Sequence, residues 1–273
     1  MTGPIRGDQP IWFDNVTTDW HVWYHAKNDL RTIGLWRFDI PTLNQVSAIM
    51  TPAYFLLVSE FLSHSSDRQM RNFIGITRPD ERVMSLWGVR YVITDKMLPV
   101  GSLRAEMPIQ TTSPPLYQSP IKVYELSEPN LGDYSPINVI NTQDAAEALK
   151  RMKGKGFNGR YDVITDSKLA GNFVTSTGTH LTIIKGGFRL RSESPSESLL
   201  VLPIQYSHCW TPDKPGSVTF FRANLLQLGV KFKGVIDLSV HYRFGPLWNS
   251  TCRTEDAKDA RRLQIQQART GRQ

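Results

Sequence analysis

Tyr206, His208 and Trp210 stand two residues apart, just past an apolar strand. Aromatic faces stack on sugar C–H surfaces, and neighbouring polar groups read hydroxyls. The trio is therefore the candidate carbohydrate-binding site. The competing reading is that Trp210 plugs the end of a sandwich, its indole N–H bonded to backbone. The plug is the reading adopted here, and the sugar platform is kept as the second. His21 and His25 lie four apart, a spacing that suits a metal on a helix. No Glu follows His21 as in H-E-x-x-H, and no third ligand is indicated, so they read as polar positions in a Trp-rich segment. Asp162 and Asp166 could in principle be a carboxylate pair. Glycosidases need two such groups across a cleft, which sequence spacing cannot show, so they read as strand-end and turn residues. Lys153-Gly-Lys-Gly-Phe-Asn-Gly-Arg160 is not G-x-x-x-x-G-K-[ST], and the phosphate-loop reading fails. A helix C-terminus explains it: Gly takes a left-handed cap and Lys complements the dipole. No catalytic residue, metal or cofactor is assigned.

These residues need elements to position them. Ile11 to Phe38 holds Trp12, Trp20, Trp23 and Trp36 among polar residues and reads as irregular structure with short strands. Ala48 to His64 has apolar residues at helical spacing. Arg82 to Leu86 reads as a short helix stopped by Gly88, and Val89 to Thr94 as a strand. Pro99 to Pro120 reads as a loop, and Ile121 to Leu126 as a second strand. Pro136 to Asn141 could extend the sheet. Thr142 to Lys153 reads as a helix capped by Thr142, with Ala145, Ala146, Leu149 and Met152 on its apolar stripe.

From Tyr161 the pattern becomes strands and turns. Candidates are Tyr161 to Thr165, Leu181 to Lys185, Phe188 to Arg191, Leu199 to Gln205, Ser217 to Phe221, Leu226 to Phe232 and Val235 to Tyr242. The last is the clearest: Ile236, Leu238, Val240 and Tyr242 alternate with Asp237, Ser239, His241 and Arg243, one face buried and one wet. The expected fold is α+β. A mixed part with two helices spans 1–156, an antiparallel, jelly-roll-like β-sandwich spans 157–248, and a polar tail, a solvated helix or disordered, spans 249–273.

Length and composition bound the function. The 273 residues are 40% hydrophobic, enough for a core. The net charge is +7, but the basic residues are scattered except in the tail, and nucleic acid is not an expected partner. Cys209 and Cys252 fit no metal or redox spacing, and two unpaired thiols are expected ahead of a disulfide. The start, Met1-Thr-Gly-Pro-Ile-Arg, has no apolar h-region. No stretch reaches the roughly 18–20 apolar residues of a membrane span.

Five segments in order carry a resemblance. They are Leu86-Trp-Gly-Val-Arg-Tyr-Val-Ile-Thr94, Ile121-Lys-Val-Tyr-Glu-Leu126, Leu199 to Trp210, Arg222-Ala-Asn224 with Gly229-Val230, and Tyr242-Arg-Phe-Gly-Pro246. Together they resemble the extracytoplasmic C-terminal region of YfhO-type bacterial polytopic membrane proteins, which are related to lipid-linked-sugar glycosyltransferases. Where many relatives have Gly before the Trp, this chain has Cys209. The resemblance implies a water-exposed, non-catalytic domain or fragment acting in cell-envelope polysaccharide or lipid-linked sugar metabolism. It implies a membrane-embedded region of the parent protein as partner, and a glycan or lipid-linked sugar nearby. Sugar transfer in such proteins is expected in loops between spans, so no catalytic residue carries over. The alternatives are a stand-alone carbohydrate-binding protein and, third, a soluble glycan-active enzyme.

Overall fold

The computed structural model describes residues 58–62, 69–70, 73–74, 80–94, 103–108, 122–243 and 251–270. The tryptophan-rich start and the histidines at 21 and 25 lie outside them. So does most of the helix expected from Ala48, of which Val58–Leu62 is seen as a π-helical turn. The described residues form an α+β protein with a mostly antiparallel sheet. They divide into two compact units. One runs up to Pro129; the other takes Asn130 onward together with Leu86–Gly88. The sequence reading placed its boundary near 156/157, whereas these units meet at Pro129/Asn130.

The first unit holds a short hairpin, β1 (Gln69–Met70) and β2 (Phe73–Ile74), and helix α1 (Glu81–Leu86) as far as Ser85. It also holds a three-stranded sheet of β3 (Tyr91–Thr94), β4 (Leu103–Pro108) and β5 (Lys122–Leu126), in the order β3-β5-β4. Strand β4 lies inside the segment expected to be a proline-rich loop. It is an edge strand with a register shift between Leu103 and Glu106, and an edge is where a proline's missing N–H is tolerated.

The second unit is built on one seven-stranded sheet. Its members are β6 (Asn138–Asn141), β7 (Asp162–Thr165), β8 (Thr177–Ile184), β9 (Gly187–Gln205), β10 (Trp210–Pro212), β11 (Val218–Ala223) and β12 (Gln227–Tyr242). The order is β6-β7-β11-β12-β9-β8, with β10 beside β12. Strands β6 and β7 are parallel and joined through helix α2 (Ala145–Lys153), so this helix belongs to the sheet's own unit. Asp144, and not Thr142, is the N-cap; its side chain accepts from Ala146 N at 2.9 Å. Thr142 instead bonds Glu147 at 2.9 Å. The buried stripe is Ala145, Ala148, Leu149 and Met152, with Ala148 in place of Ala146. Gly154 ends the helix in an extended conformation, φ −63°, and not in the left-handed region expected of it.

Strands β9 and β12, 19 and 16 residues long, each join two segments that the sequence suggested were separate strands. They pair along their length, with a register shift at Lys233/Gly234. Apolar periodicity hides this continuity because the inward positions in the middle of β9 are serines. Ser192 and Ser198 are buried but satisfied: Ser192 Oγ lies 2.8 Å from Thr179 Oγ1, and Ser198 Oγ donates to Val174 O at 2.6 Å. The core is Phe188, Leu190, Leu200, Leu202, Leu228, Val230, Phe232, Ile236, Leu238 and Val240. The alternation expected in β12 is the one observed, with Ile236, Leu238 and Val240 buried.

Two glycines are fixed by space. Gly88, at φ +78°, ends α1, and a Cβ there would meet Asn130 O and Pro203 Cβ, both at 2.7 Å. Gly229 sits opposite Phe221, whose ring lies across it and would meet a Cβ at 2.3 Å. The turn between β11 and β12 places Asn224 at φ 49° and Leu225 at φ 68°. Asn224 is fully buried; its Oδ1 accepts from Ile164 N at 3.0 Å, and its Nδ2 donates to Gln227 Oε1 at 3.1 Å. Asn tolerates the left-handed region, and here it bonds the turn.

The C-terminal segment is helix α3 (Thr251–Thr270). Among the described residues no helix is long and apolar enough to cross a membrane.

Candidate functional site

Strand β9 ends at Gln205, and Tyr206-Ser-His-Cys209 turns the chain into β10. Tyr206 N donates to Leu226 O at 2.7 Å, which fixes the start of the turn. Trp210 pairs with Tyr242 across β10 and β12. Its half-buried ring meets Phe188 and Tyr242 edge-on, with centroids 5.3 and 5.1 Å away. Its indole N–H donates to Gln205 O at 2.9 Å. Both the apolar edge and the polar atom of the ring are therefore engaged by the sheet, which is the arrangement a plug requires.

Tyr206 and His208 lie together, with rings 5.1 Å apart. Tyr206 OH is 3.3 Å from His208 Nδ1, and His208 Nε2 is 2.8 Å from Asp259 Oδ2. With the proton on Nε2, His208 donates to the carboxylate and accepts from the tyrosine. This connectivity, carboxylate to imidazole to hydroxyl, is that of a base-activated nucleophile. Burial pushes Tyr206 up to about 12, against the pull of Arg222. The chain of bonds ties the corner to α3.

Asp259 comes from α3, as does Asp256 three residues earlier on the same helix face. Asp256 takes Ser207 Oγ at 2.6 Å and His208 N at 2.9 Å. Arg222, 11% exposed, reaches from β11 between Asp259 and Asp166, the latter at 3.5 Å, and its guanidinium lies 5.1 Å from the Tyr206 ring centre. Arg262 closes the group on Asp166 at 2.5 Å. Burial works against the charge of Asp259, but the hydrogen bond of His208 and the charge and hydrogen bond of Arg222 outweigh it. They hold its carboxyl below the ordinary 3.8.

A covalent link reinforces this docking. Cys209, next to His208, is joined to Cys252 in the first turn of α3, with Cα atoms 5.0 Å apart. The expectation of two free thiols is thus overturned. Pairing needs the two Cα atoms within reach, and 43 residues of separation give no sign of that. The reading of the tail is likewise narrowed to a helix, because its acidic side chains find partners on the sheet.

The sequence singled out Tyr206, His208 and Trp210, and the structure brings all three to one corner. It missed Arg222, Asp256, Asp259 and Arg262, which come from two elements far apart in the chain. The only signal for them was the i, i+3 spacing of acids and bases in α3. Asp162 and Asp166 flank β7 and are separated by about 13 Å of extended chain, too far for a paired acid and base. Asp162 accepts Asn158 N at 2.8 Å and Asn138 Nδ2 at 2.9 Å, a turn role. Among the described residues no group of three His, Cys, Asp or Glu could hold a metal ion. The crevice beside this cluster, lined by Asp144, Asp166, Arg222 and Arg262 among others, has room for about one water at 20 Å³.

The chain matches no protein-family model, no curated protein and no solved structure.

Proposed function

We propose that this chain is a non-catalytic, extracytoplasmic domain of a glycosyltransferase-like membrane protein acting in cell-envelope polysaccharide or lipid-linked sugar metabolism. The observation that carries the reading is the Cys209–Cys252 disulfide, which joins the Tyr-to-Trp corner to α3. Disulfides persist in oxidising compartments and are rare in the cytosol. The ordered strand segments that resemble the C-terminal region of YfhO-type proteins support the same reading. The partner is a membrane-embedded region of the parent protein. The long strands β9 and β12 pair along their length with a register shift at Lys233/Gly234, and a bulge there would let the two halves of this paired ribbon lie in opposite layers of a jelly-roll-like sandwich.

The test is the state of the two thiols in the cell. The protein is expressed in its native setting, alkylated on lysis without reductant, and its mass measured. A Cys209–Cys252 link, opened only after reduction, is expected. Two alkylated thiols in the unreduced sample would overturn the extracytoplasmic assignment.

A second reading is a stand-alone carbohydrate-binding protein using Tyr206, His208 and Trp210. The position of two aromatic rings beside polar side chains favours it, but α3 and Phe188 already engage those groups.

A further inference from the structure

The second unit has an open cleft of about 450 Å³ on another part of its surface, lined by Asp133, Arg160, Tyr161, Thr175, Gly178 and His180 among others. That volume is within the roughly 300–1,000 Å³ of small-molecule sites. We propose that this cleft binds a short neutral saccharide, with Tyr161 as the stacking face and the Asp133–Arg160 pair as the hydroxyl reader. The choice of a saccharide over other polyols rests on the proposed role in envelope polysaccharide.

The lining carries the proposal. Tyr161 is 49% exposed, one of the few large apolar side chains in the second unit left so. An exposed ring held on backbone gives a sugar a C–H face to stack on. Its backbone is fixed: Tyr161 N donates to Asn158 O at 2.9 Å, and Tyr161 O accepts from Ile137 N and Asn138 N at 3.0 and 2.9 Å. Beside it, Arg160 lies 3.5 Å from Asp133, and its guanidinium lies 5.6 Å from the centre of the buried Tyr134 ring. A carboxylate accepts from two neighbouring hydroxyls, and a guanidinium donates in a planar fork, so the pair can grip a vicinal diol from both sides. The two charges offset each other, which favours a neutral ligand over an ion. The lining also includes the threonine-rich segment from Thr175 to Thr179. Its backbone is tied to the sheet. Ser176 N donates to Ser135 Oγ at 2.9 Å, and Ser135 Oγ donates to Leu199 O at 2.8 Å. A cleft lined by a half-exposed ring and by polar residues held on backbone can recognise a sugar without large rearrangement. The corner at Tyr206 lacks this openness, since the α3 carboxylates take its donors.

The full chain is titrated with maltotriose, mannotriose and galactotriose by saturation-transfer NMR and calorimetry. At least one is expected to bind. Tyr161→Ala and Asp133→Asn are each expected to weaken it by about tenfold, the loss of one stacking face or one charged hydrogen bond. Melting should change little, because both side chains are about half exposed. Trp210→Phe is expected to leave binding intact. If Tyr161→Ala lowers the melting temperature, the isosteric Asp133→Asn decides. No binding of any trisaccharide, or binding that ignores both cleft variants, would overturn the proposal. A chain that is oxidised in the cell but binds none of them loses this cleft and keeps its place as an extracytoplasmic domain.

Discussion

Trp210→Ala separates the plug from the platform, and the structure sets its magnitude. Removing a fully buried large aromatic costs about 3–5 kcal/mol. Trp210 is half-buried, so the packing loss falls toward the lower end. Two edge-on contacts, with Phe188 and Tyr242, each contribute about 0.5–1.5 kcal/mol beyond area. The indole bond to Gln205 O adds about 1 kcal/mol, and its loss leaves that carbonyl to water. These contributions overlap, and a total near 3 kcal/mol is expected. For a unit of this size that lowers Tm by about 6–10 °C. Trp210→Phe keeps one ring edge and loses the N–H, so it should fall between wild type and Ala. The assay is urea unfolding followed by far-UV circular dichroism, with thermal melting as a second readout. A Trp210→Ala chain that loses less than about 1 kcal/mol, and with it all glycan binding, would refute the plug and restore the platform.

Other perturbations probe the remaining contacts. Leu238→Asp puts a charge on the buried face of β12 and should cost several kcal/mol, whereas His241→Asp on the wetter face should be nearly neutral. Equal effects in urea unfolding would contradict the observed register. Replacing Cys209 and Cys252 together by Ser opens a closed loop of sequence separation 43, which the chain-entropy relation values at up to about 4 kcal/mol; reductant should have no further effect on that variant. The α3 docking should weaken in acid. The Asp259 carboxyl is held below its ordinary 3.8, so its contribution is complete above that value and disappears as pH falls through the depressed one. Wild type should therefore be more stable than Asp259→Asn at neutral pH. The difference should vanish in strong acid, and a pH-independent gap would remove the ion pairs as its cause.

Some of this protein was legible in its sequence because it depends on local periodicity. The alternation of Ile236, Leu238 and Val240 defined a half-buried strand, and Gly88 marked the end of α1. The aromatic corner was legible too, because Tyr206, His208 and Trp210 are close along the chain. What lies far apart in the chain was decided only by the tertiary structure. Pairing of Cys209 with Cys252 requires two backbones to meet at 5.0 Å. The continuity of β9 required serines to be satisfied inside the sheet by Thr179 and Val174, which hydrophobic patterning scores as a break. Helix α3 has few apolar residues and no periodic stripe to predict that it would dock. Its position depends on Asp256 and Asp259 finding Ser207, His208 and Arg222. Periodicity encodes which side of an element is buried; the partners of a charged side chain are encoded only by the fold that brings them within hydrogen-bonding distance.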